Sequence, residues 1–302
     1  MRQDTEGGHP EIDDLKPLWH LAVETGRLEE ALEILDRALV LARAHGDARQ
    51  IDFVICDRAA VAIELGHGTA EVPRLREILV RNADIANCRV AAYNIARFHE
   101  LNKDHKKALF YARIARDRSE LLHRRDWLAS SHNLIGNTLL AESFVDRALE
   151  EYERALEFMP LEPSPARARI LDNLGYCRVL QGRYREGFSF LYQSLRILRR
   201  FQAERYQISI RLDLCFAHLE TGRYRDAWRH GVAALELAEK LDEPQSEKNA
   251  LYLLGETAHL SGDMERARGY FARLQQTFFP EATYLPGFLL AVDVRKLVNL
   301  HA

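Results

Sequence analysis

The chain has 302 residues, of which 47% are hydrophobic, so it holds enough apolar side chains for a folded core. Its 42 Lys and Arg residues nearly balance 45 Asp and Glu residues, and a formal net charge of -3 gives no support to nucleic-acid binding or to a membrane-surface role. Nine Pro and sixteen Gly are few for a β-rich chain of this length. Composition therefore favours an all-α fold.

The cysteines and the N-terminal segment bear on the cellular setting. Cys56, Cys88, Cys177 and Cys215 are scattered and form no CxxC pair, which favours a reducing compartment. The first 16 residues carry acidic side chains where a signal peptide needs a basic start and an apolar run, and no stretch is long enough to span a membrane. We therefore expect a cytoplasmic protein without a membrane segment.

Apolar residues recur at helical spacing from Glu11 onward, after a polar stretch, residues 1–10, that we expect to be flexible. Gly26 ends the first helix, and a returning helix completes the first helix pair. The second pair is degenerate. Its first helix, residues 51–65, is regular, but glycines and Pro73 disturb the start of its partner, so a short helix over residues 72–81 is predicted.

The later pairs repeat with a regular step. A helix over residues 90–101 turns at 102–104, and the next pair turns near Ser143. The sequence Gly-Arg-Tyr-Arg-Glu-Gly at residues 182–187 returns as Gly-Arg-Tyr-Arg-Asp-Ala at residues 222–227, and a similar sequence follows at residues 262–267. A step of 40 residues predicts about seven helix pairs in one array over residues 11–279.

Residues 280–302 match no repeat but carry apolar residues at helical spacing. We expect a C-terminal helix that caps the array, because a terminal repeat otherwise exposes an apolar strip. Leu290, Val294 and Leu300 add a second apolar face. That face predicts docking of another domain or a homodimer through the C-terminal helix.

These residues resemble the tetratricopeptide repeat family, whose unit pairs a first helix containing Leu-Gly with a second helix containing small and aromatic residues and Pro. Leu174-Gly175 and Leu254-Gly255 supply the Leu-Gly pair, and Ala148, Tyr152, Ala155 and Pro160 supply the pattern of the second helix. The family's common unit has 34 residues, so a step of about 40 resembles the longer units of bacterial regulatory proteins. The resemblance implies an α-α superhelix, a solenoid of about seven helix pairs plus the capping helix, in which small residues let paired helices approach closely.

The resemblance also implies where a partner binds, because the first helix of each pair lines the concave groove in this family. Aromatic side chains supply pockets, and asparagines offer a donor and an acceptor to the backbone of an extended peptide. Asparagines that only tie neighbouring helices together are the alternative. We predict that the following residues line the groove: Tyr93, Arg97, Asn133, Asn137, Arg169, Asp172, Tyr176, Phe216, Tyr252 and Glu256.

Other kinds of site find little support. His99 and His105 are six residues apart and do not share a helical face, so no metal site is predicted. Gly66-His67-Gly68 lacks the rest of a phosphate-binding loop. Two arginine clusters, near residues 113–125 and 196–205, are interleaved with acidic residues or end helices, where basic residues are favourable without nucleic acid.

No local set of catalytic residues stands out, and the sequence implies no cofactor. We therefore predict a non-catalytic scaffold that binds a protein or peptide partner in the groove. The alternative is a ligand-responsive sensor that controls an effector or a transcription factor. An enzyme whose active site is formed by residues of several repeats is a further alternative.

Overall fold

The computed structural model describes residues 9–295 and residue 300, and within this part of the chain every regular element is helical. Of residues 1–10, for which flexibility was predicted, residues 1–8 lie outside it, and the first helix begins at Pro10. The α-helices are α1 Pro10–Glu24, α2 Leu28–His45, α3 Ala48–Glu64, α4 Val72–Arg81, α5 Ile85–Leu101, α6 His105–Leu121, α7 Arg125–Ala141, α8 Val145–Phe158, α9 Pro165–Leu180, α10 Tyr184–Arg200, α11 Glu204–Glu220, α12 Tyr224–Lys240, α13 Pro244–Leu260, α14 Met264–Phe278 and α15 Leu285–Ala291.

In chain order the described helices make seven successive helix–turn–helix pairs, from α1–α2 to α13–α14, and α15 comes last. The two helices contact each other in α1–α2, α3–α4, α5–α6, α9–α10, α11–α12 and α13–α14. The predicted all-α class and the helix-pair repeat are confirmed. Helix α4 spans Val72–Arg81, as predicted for the degenerate second pair, and follows a 3₁₀ turn at Gly68–Ala70.

The chain divides into two compact units, residues 1–138 and residues 139–302. In unit 1 the largest fully buried side chains include Trp19, Leu35 and Ile95. In unit 2 they include Tyr152, Tyr176 and Phe271. Each unit therefore has its own hydrophobic core, built from the apolar positions of successive helix pairs.

The turn inside each pair contains one residue with left-handed backbone geometry. At Gly182 this backbone has φ of 74°, a value that costs glycine little because it has no Cβ. The same position recurs at a step of close to 40 residues, so the repeat is visible in the backbone as well as in the sequence. The seven turn residues are Gly26, Gly66, Lys103, Ser143, Gly182, Gly222 and Gly262.

Side chains at several helix starts satisfy backbone groups that have no partner within the helix. Asp84 accepts a hydrogen bond from the backbone N–H of Asn87 at 2.7 Å, and Ser164 accepts one from Arg167 at 3.2 Å. Such N-caps fix where α5 and α9 begin. The repeat starts are therefore set by local sequence as well as by packing.

Small residues bring the helices of a pair close together, as expected. A Cβ added at Gly187 in α10 would lie 3.0 Å from the backbone oxygen of Gly175 in α9. A Cβ at Gly255 in α13 would lie 2.3 Å from the ring of Phe271 in α14. The glycine at position 255 thus makes room for a large side chain on the paired helix.

All four cysteines are buried and form no disulfide. Burial raises the pKa of Cys177 and of Cys215 to about 12, so both thiols stay protonated near neutral pH. None of the described helices combines the length and apolar character that a membrane crossing requires.

The C-terminal region departs from a continuous helix. Helix α15 contacts α14 and buries Leu289, but it ends at Ala291, and Val292 has extended backbone geometry. Part of the predicted helical cap, residues 296–299 and 301–302, lies outside the described residues. Residues 292–295 and Leu300, here called the C-terminal segment, lie against other helices of unit 2.

Candidate functional site

The first helices of unit 2 form one layer, in which α9 contacts α11 and α11 contacts α13. Residues four apart share a helical face, so one row of side chains on each helix borders the same surface. We call this the first-helix surface of unit 2, and we define it by the residues that lie near the C-terminal segment together with Phe216, whose ring lies beside that of Tyr176. The residues near the segment are Tyr176, Glu220, Asn249, Tyr252 and Glu256.

The backbone of the C-terminal segment is held by side chains of α9 and α13. The N–H of Leu300 donates a hydrogen bond to the hydroxyl of Tyr176 at 3.4 Å. The side-chain amide of Asn249 donates to the carbonyl of Leu300 at 3.2 Å. A tyrosine and an asparagine on the first helices thus bind main-chain groups of another segment, and these two hydrogen bonds do not depend on which side chain that segment carries.

Arg295 of the same segment approaches the acidic side of this surface. Its guanidinium lies 3.2 Å from Glu220 in α11 and 3.9 Å from Glu256 in α13. It also contacts both carboxylate oxygens of its neighbour Asp293, at 3.0 and 2.7 Å. Val294 between them is buried. The described residues of the C-terminal segment therefore contact α9, α11 and α13 at the first-helix surface of unit 2.

Glu256 and Tyr252 are buried polar groups of this surface with incomplete hydrogen bonding. Glu256 is 2% exposed, and neither its Oε1 nor the Tyr252 hydroxyl has a hydrogen-bond partner among the described residues. Burial raises the pKa of Glu256 to about 7; Arg295 opposes this rise and Asp293 adds to it. Such a site favours a ligand that donates hydrogen bonds.

A second acidic feature lies between α9 and α11. Asp172 and Asp213 are both buried, and Asp172 accepts a hydrogen bond from the Ser209 hydroxyl at 2.9 Å. Burial and then the charge of Asp213 raise the pKa of Asp172 well above its ordinary value. Asp172 therefore binds a proton more readily than an exposed carboxylate does, which suits a structural contact between first helices.

The structure thus brings together four of the predicted site residues of unit 2: Tyr176, Phe216, Tyr252 and Glu256. The rings of Tyr176 and Phe216 are 5.9 Å apart. Arg169 is exposed and stands over the ring of Tyr206 at 5.1 Å, away from this set of contacts.

The predicted residues of unit 1 lie on α5 and α7. Arg97 forms ion pairs with Glu64 of α3 and with Glu100, both at 2.6 Å. The guanidinium of Arg89 lies over the ring of Tyr93, with its central carbon 4.7 Å from the ring centroid. Asn133 and Asn137 are partly exposed on α7.

Other asparagines tie neighbouring first helices together, which was the alternative to a role in peptide binding. Asn94 of α5 donates to the carbonyl of Cys56 in α3 at 2.7 Å, and Asn87 donates to the carbonyl of Arg49 at 2.9 Å. Both side chains are buried. Asparagine on a first helix therefore serves packing at these two positions.

Sequence reasoning missed several polar residues of the first-helix surface. Glu220 lies four residues after Phe216, and Asn249 three residues before Tyr252, so extending the helical series by one step along the helix would have included both. Arg295 had no such signal, since it lies outside the repeats. Its place depends on how the chain returns after α15.

A cluster of two histidines and a tyrosine between α10, α11 and α12 was also missed. The rings of His218 and His230 stack at 5.6 Å, and the Tyr192 hydroxyl lies 2.8 Å from Nε2 of His218. Burial and the neighbouring His218 lower the pKa of His230 to about 4. Both imidazoles are therefore neutral at neutral pH, which marks the cluster as a packing feature.

The sites set aside on sequence grounds have ordinary surroundings in the structure. His99 is buried against the ring of Tyr111, with ring centroids 5.9 Å apart. In the first arginine cluster, Arg116 pairs with Asp117 at 2.8 Å and Arg124 with Asp126 at 2.7 Å. These charges are compensated within the cluster.

Comparisons with known proteins agree with this architecture. Residues 127–200 match the tetratricopeptide repeat model. Over 153 residues the chain is 26% identical to outer dynein arm-docking complex subunit 4 of Danio rerio, an alignment that covers 50% of this chain and 31% of that protein. The chain therefore spans less than a third of the length of this relative.

Solved structures give the same fold at low sequence identity. The apo form of RapI is 13% identical, with a TM-score of 0.63 and coverage of 88% of this chain and 76% of that chain. A Rap protein complexed with competence and sporulation factor is 13% identical, with a TM-score of 0.55 and coverage of 88% and 87%. The consecutive helix pairs and these likenesses give the chain a tetratricopeptide-like repeat fold, and residues 127–200 match the repeat model itself.

Proposed function

We propose that the chain is a non-catalytic scaffold that binds a protein or peptide partner, and that the first-helix surface of unit 2 receives an extended segment of that partner. The observation that carries this proposal is the pair of hydrogen bonds from Tyr176 and Asn249 to the backbone of Leu300. Main-chain recognition of this kind suits an extended peptide, whose own backbone groups lack partners.

The aromatic residues and the acidic residue of the same surface supply selectivity. Tyr176 and Phe216 offer adjacent rings for an apolar side chain. Glu256 offers a buried carboxylate to a donor. In unit 1 we propose Tyr93, Arg97, Asn133 and Asn137 as further partner contacts, with Arg97→Ala and Asn137→Ala expected to weaken binding without unfolding the array.

The proposal is tested by selecting a ligand and mapping its determinants. A random 12-residue peptide library is panned against the full-length chain, and the affinity of a selected peptide is measured by calorimetry. Asn249→Ala and Glu256→Gln are each expected to weaken binding about tenfold, because about 1.4 kcal/mol, the scale of one lost hydrogen bond, is a factor of ten.

Glu265→Gln is the matched control, since Glu265 is an exposed carboxylate on the second helix α14. It should leave the affinity unchanged. Equal affinity of the wild type and of both first-helix variants would remove this surface from the binding site. Circular dichroism and thermal unfolding of each variant show that the comparison is made between folded proteins.

A regulatory role is favoured by one further observation, the return of the C-terminal segment onto the proposed binding surface. A segment that leaves when a ligand binds changes what the protein exposes to an effector. A homodimer through α15 is a separate proposal. Helix α15 and its flanks expose Tyr284, Phe288 and Val292, which are the residues such a contact would bury.

A further inference from the structure

The C-terminal segment fits the first-helix surface of unit 2 incompletely. Its Arg295 uses Nε and Nη2 on the two carboxylate oxygens of Asp293, at 3.0 and 2.7 Å. Only Nη1 remains directed at Glu220, at 3.2 Å. A guanidinium forms its strongest contact when two of its N–H groups donate to the two oxygens of one carboxylate. Asp293 occupies this bidentate arrangement, so it is not open to a buried carboxylate of the surface.

Glu256 shows the consequence of this competition. Its Oε2 is 3.9 Å from Nε of Arg295, which is beyond hydrogen-bond distance, and its Oε1 has no hydrogen-bond partner in the described part of the chain. The side chain is nevertheless 2% exposed. Glu256 is thus buried with an acceptor oxygen that receives no hydrogen bond, while the nearby guanidinium donates to Asp293. This arrangement indicates a binding site for a ligand that donates to Glu256 directly.

The surroundings specify the chemistry of that donor. Glu220 and Glu256 both face the guanidinium, so the surface selects positive charge. The backbone of Leu300 is held by Tyr176 and Asn249, so a ligand at this surface also presents backbone groups to these two residues. Buried Val294 next to Arg295 adds an apolar contact.

We propose that the first-helix surface of unit 2 binds an extended peptide containing an arginine beside an apolar residue and lacking an acidic residue two positions before that arginine, and that the C-terminal segment is an internal competitor for this ligand. The inference rests on the proposed function, whose surface it shares. The ligand's arginine engages Glu220 and Glu256 together, which Arg295 does not, and the C-terminal segment leaves when the ligand binds.

Two substitutions in the C-terminal segment are expected to change ligand affinity in opposite directions. Arg295→Gln removes the charge of the internal competitor, so an external peptide should bind the full-length chain about tenfold more tightly. Asp293→Ala frees Arg295 to engage Glu256, so the same peptide should bind several-fold more weakly. A nonspecific loosening of the segment by either change would instead strengthen binding in both variants.

The probe is a fluorescein-labelled synthetic peptide of residues 291–302 carrying Asp293→Asn, and its affinity is measured by fluorescence anisotropy. The same peptide carrying Arg295→Gln in addition is the control ligand and should not bind. Glu281→Gln is the control variant of the full-length chain, because Glu281 is an exposed acid before α15, and it should leave affinity unchanged.

Hydrogen exchange at the amide of Leu300, which donates to Tyr176, gives a second readout. This amide should be protected in the wild type, and excess probe peptide should remove that protection. Two results would overturn the proposal that the C-terminal segment competes with the ligand. One is peptide binding with unchanged amide protection, and the other is a change of peptide affinity in the same direction in Arg295→Gln and Asp293→Ala.

The experiments distinguish failure of the competitor proposal from failure of the proposed function. If the affinity of library-selected peptides depends on Glu256 but changes with neither substitution in the C-terminal segment, the segment is not a competitor and the proposed function stands. If neither the selected peptides nor the probe depend on Glu256 or Asn249, the proposed function fails with it.

Discussion

The paired histidines His218 and His230 show how one residue's surroundings set its chemistry. Arg229, Arg211 and Asp226 act on His230 in addition to His218, and the Tyr192 hydroxyl lies 3.5 Å from its Nε2. Burial, followed by the neighbouring positive charges, lowers its pKa to about 4, whereas an unfolded histidine titrates near 6.5. Folding therefore excludes a proton that the unfolded chain binds below pH 6.5.

The sign of this linkage predicts acid sensitivity. The unfolded state gains protons first, so stability is retained above about pH 6.5 and falls as pH drops from about 6.5 to 4, by on the order of 2 kcal/mol for one such group. His230→Gln should flatten this part of the stability profile, measured by urea unfolding at several pH values. His67→Gln, which removes an exposed imidazole, is the control. An unchanged slope in His230→Gln would contradict the account.

At this scale helical spacing accounts for some residues of the first-helix surface and misses other clusters, for a physical reason. Tyr176, Tyr252 and Glu256 follow from helical spacing on the first helices, because each helix turn returns a residue to the same face. His218 lies on α11 and His230 on α12, so their contact spans two helices. Spacing within one helix does not predict such a pair.

At the scale of elements, residue sizes on paired helices are matched. Gly175 of α9 faces Leu191 of α10, and a Cβ at Gly255 of α13 would contact Phe271 of α14. In the intervening pair the order is reversed, since a Cβ added at Gly231 of α12 would lie 3.1 Å from the sulfur of Cys215 in α11. A small residue on one helix thus accompanies a larger one on its partner.

This matching predicts a coupling between Gly255 and Phe271. Gly255→Ala should destabilise the fold by about 1–3 kcal/mol, because the new methyl group overlaps the aromatic ring. In a Phe271→Ala background the same change should cost less than about half as much, so a double-mutant cycle measured by urea unfolding yields a coupling energy.

Gly269→Ala supplies the control in the same helix pair, since nothing lies within 4 Å of a Cβ at that position. It should be neutral or stabilising by up to about 1 kcal/mol, as alanine is the better helix former. Equal costs of Gly255→Ala in both backgrounds would show that the ring is not the obstacle.

Elements were predicted well where the repeat is regular. The 40-residue step located the pairs from α5 to α14, and Pro73 with its neighbouring glycines predicted the short α4. The region after Phe278 was harder, since its apolar spacing suggested one long helix but α15 ends at Ala291. Helical spacing of apolar residues does not specify where a segment leaves the helix to contact side chains distant in sequence, such as Tyr176 and Glu220.

At the scale of the whole molecule, one helix pair repeats along the described chain, which is the architecture of a repeat fold. The Rap protein solved with competence and sporulation factor has a similar fold, and that likeness shows the fold alone. Here the proposed ligand class comes from the chain itself, through the backbone contacts of Leu300 and the charges around Arg295. The sequence predicted the binding class, but the acidic character of the surface required the structure.

The most direct measurement is photo-crosslinking of a selected peptide to the full-length chain, with the attachment sites mapped by mass spectrometry. The peptide carries a benzophenone side chain next to its arginine. The account predicts attachment within α9, α11 and α13, close to Tyr176, Glu220 and Glu256. Attachment confined to the second helices α10, α12 and α14 would contradict it.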